Sequence, residues 1–403
     1  MKKVFNICNL YILFWCLYYL QGTFYQEGSY ISKGILAFNL VISFYFAFNS
    51  WFKYRIPVFF HRLTSFLALL TVYGVILIID DETIYLHNLL SDKVSNYTYL
   101  KNIYTSLLPI FPFYVFGRRG MLTEKSFRLW APIFLIMVTF LFYRQQDDMM
   151  VEALLSGSER VDFVKNVGYT FLAIIPMSMF YRNKPILQYI MLAFCVFYVI
   201  MGMKRGAIII AALCIPVFIY MTVKNSSRKM RFRLCILGLF LLLLVGAIFY
   251  EYLNSNEFFQ LRLEKTLDGY SSGRDIIYST LWDFFISRTT PLQFFIGSGA
   301  LSTLKIAGQY AHNDWLELAI NQGMLGISFY LLYWYSFVKE WWILKKSNTD
   351  AYLIWGLVLI ITLSKTFFSM SYGDMDFFTT MMLGYCLSRN DVATINCRNS
   401  SQM

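Results

Sequence analysis

Long runs of apolar residues, about 17 to 24 positions each, alternate with short polar connections along the whole chain. At 1.5 Å of rise per helical residue, such a run matches a hydrocarbon layer about 30 Å thick. The pattern therefore predicts membrane-spanning helices and not barrel strands. The runs fall near residues 4–20, 34–52, 57–79, 99–117, 128–143, 164–181, 185–203, 206–223, 233–250, 323–338, 351–369 and 375–388. The predicted fold class is all-α: a polytopic membrane protein with about 12 transmembrane helices, forming a single integral membrane domain over residues 1–403.

Basic residues fix an expected orientation, because cytoplasmic loops near span ends keep an excess of Lys and Arg. Lys2, Lys3, Lys53, Arg55, Arg118, Arg119, Lys125, Arg128, Arg182, Lys184, the run from Lys224 to Arg233, and Lys345 with Lys346 all fall on one side. That side is assigned to the cytoplasm, with both termini there. The first run follows Lys2-Lys3 as a signal peptide would. No small-residue cleavage site follows Leu20, however, so a retained helix is expected.

Composition agrees with this reading. The 403 residues are 58% hydrophobic, 19% aromatic and only 15% charged, more apolar surface than one aqueous core could hide. The formal net charge of +11 is mostly a topology signal. A nucleic-acid partner would call for a basic face interleaved with stacking aromatics, whereas these are short juxtamembrane clusters. Cys8, Cys16, Cys195, Cys214, Cys235 and Cys386 fall in or beside spans and Cys397 in the last segment, a distribution with no disulfide framework or zinc-ligand spacing.

Three outer segments are long enough to hold chemistry. Stretches 80–98 and 144–163 are acidic and read as solvated connectors. Stretch 251–322 is different: about seventy residues, far above ordinary loop lengths, rich in aromatics and with its own periodicity. It is read as one large periplasmic loop containing short helices. Ile277, Leu281, Phe284 and Phe285 recur at helical spacing, with Arg274, Asp275 and Asp283 free to face water, so this helix is expected along the outer membrane surface. Gly297, Gly299 and Gly308 then mark tight turns or close backbone approach.

The candidate reactive groups are few. Of three histidines, His61 sits near the cytoplasmic end of a span and His87 in an acidic loop, where solvation explains it. His312 opens the run His312-Asn313-Asp314-Trp315-Leu316-Glu317 in the same loop as Arg274 and Arg288, and reads either as reactive or as a structural, hydrogen-bonded histidine. Lys204-Arg205 at the outer end of the seventh span reads either as a pair snorkelling to the interface or as an anion clamp. Outer arginines with one imidazole suit a particular reaction. Guanidinium groups bind a lipid diphosphate bidentately and stabilise it as it departs, and an imidazole takes the proton of an attacking hydroxyl. His312, Asp314 and Glu317 are also side-chain types that can ligate a divalent ion.

Three pieces of sequence resemble the O-antigen polymerase and O-antigen ligase superfamily of bacterial inner membranes. Arg205-Gly206 looks like the family's arginine at a span edge, with Lys204 where Ser or Thr is common. Ser272-Gly273-Arg274, then Trp282, Pro291 and Gly297-Ser298-Gly299, is similar to the start of the family's large periplasmic loop. Ala311-His312-Asn313-Asp314, with Leu316-Glu317, Gly323 and Gly326, looks like its His-Asn motif. The resemblance covers residues 204 to about 326. It implies that Arg205 and Arg274 hold the pyrophosphate of an undecaprenyl-linked donor glycan while His312 faces the hydroxyl of a second, lipid-linked acceptor. Lys204, Arg288, Asn313, Asp314 and Glu317 are secondary substrate-binding candidates. No metal, nucleotide or other cofactor is implied, and a chain-length regulator protein is a further partner the resemblance allows.

Three functions stay open at this point: a polymerase of lipid-linked repeat units, a ligase moving the finished glycan to lipid A core, and a transporter or flippase of the same glycolipids. The transporter predicts polar residues inside the spans and internal repeats. Lys365 is the clearest intramembrane charge, and no repeat is found.

Overall fold

The structure is a computed structural model that describes residues 6–54, 56–81, 83–86, 93–155, 164–224, 226–267, 273–347 and 349–400. His87, Ser272, Lys2, Lys3 and Arg55 lie outside the described residues. The first half of the chain is helical: α1 (Ile7–Tyr19), α2 (Tyr30–Lys53), α3 (Val58–Asp80), α4 (Tyr97–Leu107), α5 (Ile110–Arg118), α6 (Glu124–Leu155), α7 (Gly168–Ile174) with a 3-10 extension Ile175–Tyr181, and α8 (Pro185–Met201). Then come α9 (Arg205–Lys224), α10 (Arg228–Ser255), α11 (Glu257–Leu267), α12 (Arg274–Ser287), α13 (Pro291–Ile296), α14 (Ser302–Ala307), α15 (Asp314–Ser347), α16 (Thr349–Phe368) and α17 (Phe377–Ser400). A two-residue antiparallel ladder pairs Ile84–Tyr85 with Lys93–Val94.

Among the described residues, six helices are long and apolar enough to cross a membrane: α2, α3, Glu124–Val151 of α6, α9, α10 and Ala351–Phe368 of α16. The other predicted spans are also helical, but shorter, broken or less apolar. The run 99–117 breaks at Leu108 and Pro109 into α4 and α5, because proline lacks the N–H that a continuous helix needs. The run 164–181 tightens into a 3-10 helix beginning at Ile175-Pro176. α1 has 13 residues and α8 has 17.

The distribution of apolar side chains identifies the solvent. On α10, Phe232, Ile236, Leu239, Phe240 and Leu243 are all more than half exposed, and only Leu234, Gly238 and Leu241 are buried. An aqueous protein would not present such a surface. The interior is aromatic: Phe59, Phe66, Phe113, Tyr330 and Trp355 are fully buried. Helix contacts rely on small residues, as expected where lipid supplies no hydrophobic drive between helices. A Cβ at Gly384 of α17 would lie 2.6 Å from the Tyr114 backbone nitrogen, so glycine lets α17 settle directly on α5.

The segment from α12 to α14 packs against the start of α15. Ile277, Leu281 and Phe285 of α12 are buried with Ala311, Ala319 and Ile320 in a small core of their own, and Phe284 packs against it. Ile276, Trp282 and Ile286 on the other side of α12 are more than half exposed. A helix apolar on both sides suits a lipid surface.

Candidate functional site

The His-Asn run is held in place by the two carboxylates that follow it. Glu317 is buried; its Oε1 accepts from Thr303 Oγ1 (2.6 Å) and Asn321 Nδ2 (3.0 Å), and its Oε2 from the Ala311 backbone N–H (2.8 Å). Asp314, fully buried, accepts from the Tyr330 hydroxyl (2.5 Å) and the Ser371 backbone N–H (2.9 Å). Asn313 Oδ1 caps the start of α15 by accepting from the N–H groups of Trp315 (3.0 Å) and Leu316 (3.2 Å). Between these anchors His312 takes a left-handed conformation, φ 52°, uncommon for a residue with a Cβ and maintained here by its fixed neighbours. Burial pushes the acidity of both carboxyls down, raising Asp314 to a pKa of about 7. Asp314 and Glu317 thus shape the loop, their oxygens accepting from donors of the protein itself. They do not join His312 in a metal cluster: no such group of three occurs among the described residues.

Replacing Glu317 by alanine leaves three buried donors without an acceptor, which costs about 1–3 kcal/mol for each group left unsatisfied. Glu317→Ala is therefore expected to lower the melting temperature of the detergent-purified protein, whereas Glu317→Gln, which keeps an acceptor oxygen, loses less.

The positive charges come from two helix starts, those of α12 and α9. Gly273, at φ 79°, caps α12 so that Arg274 is its first helical residue. Arg274 Nη1 donates to the Phe368 carbonyl at the end of α16 (3.1 Å), where the helix dipole favours a cation. That bond uses one of the five donors of its guanidinium. Gly206 packs against the same place, since a Cβ there would lie 2.8 Å from Phe368 Cβ and closer still to the Tyr169 hydroxyl. The turn before α9 therefore lies beside the Arg274 anchor. Lys204 Nζ donates to Asn166 Oδ1 (2.7 Å).

The turn before α9 and the His312 loop border an open cavity of about 530 Å3, with Lys101, Asn166, Lys204, Tyr310, His312 and Asp374 among its lining. Burial, then the Arg274 and Lys204 charges, push the His312 imidazolium down to a pKa of about 4. His312 is therefore neutral at pH 7, the form that accepts a proton.

Of the residues singled out from sequence, Lys204, Arg274 and His312 come together. Arg205 opens α9 next to them, half-buried, but Lys204 is the one that lines the cavity. Arg288 is at the opposite end of α12, exposed and about 21 Å along the helix from Arg274. Lys101, Asn166 and Asp374 were not anticipated. Lys101 carried a signal, as a charge inside a predicted span.

A second, largely apolar groove of about 530 Å3 is lined by Tyr278, Trp282, Phe285, Trp315, Leu316 and Met324. Asn313, next to His312, is also in its wall.

A family model described as O-antigen ligase matches residues 190–331, about a third of the chain, from α8 to the first part of α15. Lys204, Arg205, Arg274, Arg288 and the His312–Glu317 run all lie inside it. The resemblance read from those motifs is thereby borne out: over this stretch the chain matches an O-antigen ligase domain, consistent with the O-antigen polymerase and ligase superfamily. Comparison with curated proteins and with solved structures finds no match.

Proposed function

We propose that this protein polymerises oligosaccharide repeat units linked to undecaprenyl pyrophosphate, on the periplasmic face of a bacterial inner membrane. In this reading about twelve helices cross the membrane, both termini are cytoplasmic, and residues 251–322 form the active periplasmic segment. The observation that carries it is one open cavity lined by Lys204 and a neutral His312, with the Arg274 charge close enough to His312 to lower its pKa.

The donor's diphosphate lies against Lys204 and Arg274, with Arg205 reinforcing the positive charge of the α9 start. Its prenyl chain follows the apolar groove past Asn313 into lipid. The acceptor sugar hydroxyl approaches the anomeric carbon beside His312, which takes the hydroxyl proton as the new glycosidic bond forms. The anomeric C–O bond to phosphate breaks, its electron pair leaves with undecaprenyl pyrophosphate, and Lys204 and Arg274 stabilise the charge that develops there. His312 then gives its proton to the departing diphosphate or to water, which returns it to the neutral state. The phosphate ester bond of the donor supplies the driving force, so the step needs neither a metal nor a nucleotide. A chain-length regulator is a fitting protein partner.

The family match does not separate this from a second reading, in which the same donor and site serve a ligase with lipid A core as acceptor. Purified protein supplied with a synthetic lipid-linked repeat unit as its only substrate separates the two. The polymerase gives a ladder of products; the ligase gives none until lipid A core is added. In a deletion strain, the polymerase reading expects single repeat units on the core, and unattached long polymer would overturn it.

A further inference from the structure

A smaller cavity, about 300 Å3, adjoins the one lined by Lys204 and His312, and the two share Tyr19, Asn166, Tyr169 and Asp374 as a common wall. The chemistry changes sign between them. The first is bordered by Lys101, Lys204 and His312, with the Arg274 charge close by. The second is bordered by three carboxylates, Asp148, Asp374 and Asp376, against two cations, Arg144 and Lys365. Both cations are already committed. Arg144 donates to the Gln21 carbonyl (2.5 Å) and to Thr23 Oγ1 (3.1 Å), and pairs with Asp148 at 3.6 Å. Lys365 holds the Asp374 carboxylate at 2.9 Å and the Asp374 carbonyl as well. Carboxylate oxygens are thus left in excess, beside two tyrosine rings.

We propose that this second cavity is a subsite for an uncharged pyranose ring of the glycan, and that it rejects rings bearing a carboxylate. The proposal rests on the diphosphate lying against Lys204 and Arg274, because the shared wall places a sugar attached to that diphosphate beside the second cavity. Carboxylates accept strong hydrogen bonds from neighbouring sugar hydroxyls, and Tyr19 and Tyr169 in the shared wall add aromatic surface for the C–H side of a pyranose. A diphosphate would meet three like charges here. The carboxylates do not group as cation ligands either, since no cluster of three metal-binding side chains occurs among the described residues. An acidic sugar brings a fourth negative charge while both bordering cations are already engaged, a repulsive device that sets specificity.

The test uses the full-length protein in nanodiscs at pH 7.5. Saturation-transfer NMR reads binding of glucose, N-acetylglucosamine and glucuronate, and calorimetry reads binding of inorganic pyrophosphate. The two neutral sugars are expected to bind and glucuronate not to bind. The double substitution Asp148→Asn and Asp376→Asn is expected to weaken the neutral sugars about fivefold, since it replaces charge-assisted hydrogen bonds by neutral ones, and to admit glucuronate. Pyrophosphate affinity stays unchanged in that variant and falls in Arg274→Ala. A gain of glucuronate binding cannot come from misfolding. Citronellyl-diphospho-N-acetylglucosamine identifies the source of the ring: weaker binding in the double variant assigns it to the donor, unchanged binding to the acceptor. Equal binding of glucose and glucuronate by the unaltered protein overturns the subsite. So does absence of any sugar signal while pyrophosphate binds, an outcome that leaves the diphosphate reading standing. Failure of pyrophosphate to bind the unaltered protein overturns that reading and the subsite with it.

Discussion

Polymer formation by His312→Ala is expected to fall by about 10²- to 10⁴-fold, the range a positioned general base contributes, while the protein still inserts and purifies normally. His312 stands in the cavity wall with its loop fixed from both sides by Asp314 and Glu317, which act without it, so its removal should disturb chemistry more than folding. A pH profile adds a check that a structural histidine would not move. Burial together with Arg274 and Lys204 lowers the folded pKa to about 4, so the base is available above that value and is lost as pH falls through it. The acid limb of kcat/KM, which reports the free enzyme, is therefore expected near pH 4. Bound diphosphate neutralises the two cations that depress His312, so the limb of kcat, which reports the complex, should lie higher. Arg274→Ala should lose about 10²- to 10³-fold through the charge it no longer stabilises, and it should lift the kcat/KM limb toward higher pH. Normal chain lengths from both variants, or limbs that coincide, would remove the catalytic assignment.

The span pattern was legible because the helices of a membrane protein must be apolar wherever lipid touches them. The predicted run 206–223 and α9, or 185–203 and α8, differ by a residue or two at their ends. Proline explains where the pattern misled. Pro109 and Pro176 interrupt runs whose hydropathy is continuous, and hydropathy counts only transfer, not hydrogen bonds. The candidate site was legible where its residues are close in sequence to glycine turns, as Arg274 follows Gly273 and His312 precedes the α15 cap. Lys101, Asn166 and Asp374 come from α4, from the turn before α7 and from the connection before α17. Only tertiary packing brings them to His312, and no local spacing encodes it. Asp314 and Glu317 show the converse: their residue types suggested ligand contact, but burial committed their oxygens to the backbone and to Thr303, Asn321 and Tyr330.

The largest structural effect is expected from Gly323→Ala. Two helical stretches of α15 meet at a sharp break, where Gly323 has φ 62° and ψ −157°, a region that essentially only glycine occupies. A Cβ there would stand 2.5 Å from the Gly297 backbone nitrogen and 2.7 Å from the Phe294 carbonyl oxygen. The obstacle is main chain, which cannot turn aside as a side chain would. Around the break the segment after α13 is stitched to α15 by Ser298 N–H to Ile320 O (2.8 Å) and Gly299 N–H to Asn321 O (3.0 Å), and Thr303 N–H reaches Asn321 Oδ1 at 3.3 Å. Backbone strain of about 1–3 kcal/mol adds to an overpacking cost of similar size, so a loss of about 2–6 kcal/mol is expected at this one methyl group. The damage should propagate along a defined route: α13 and α14 lift from α15, Thr303 leaves Glu317, and the Ala311 anchor beside His312 loosens. Thermal unfolding should therefore shift downward and hydrogen exchange should rise first in residues 291–311, with α9 and α16 keeping their protection. Gly246→Ala, in ordinary helix of α10 where a Cβ meets nothing within 4 Å, should cost much less. Equal losses from the two substitutions would mean that the break at Gly323 does not hold α13 and α14 in place.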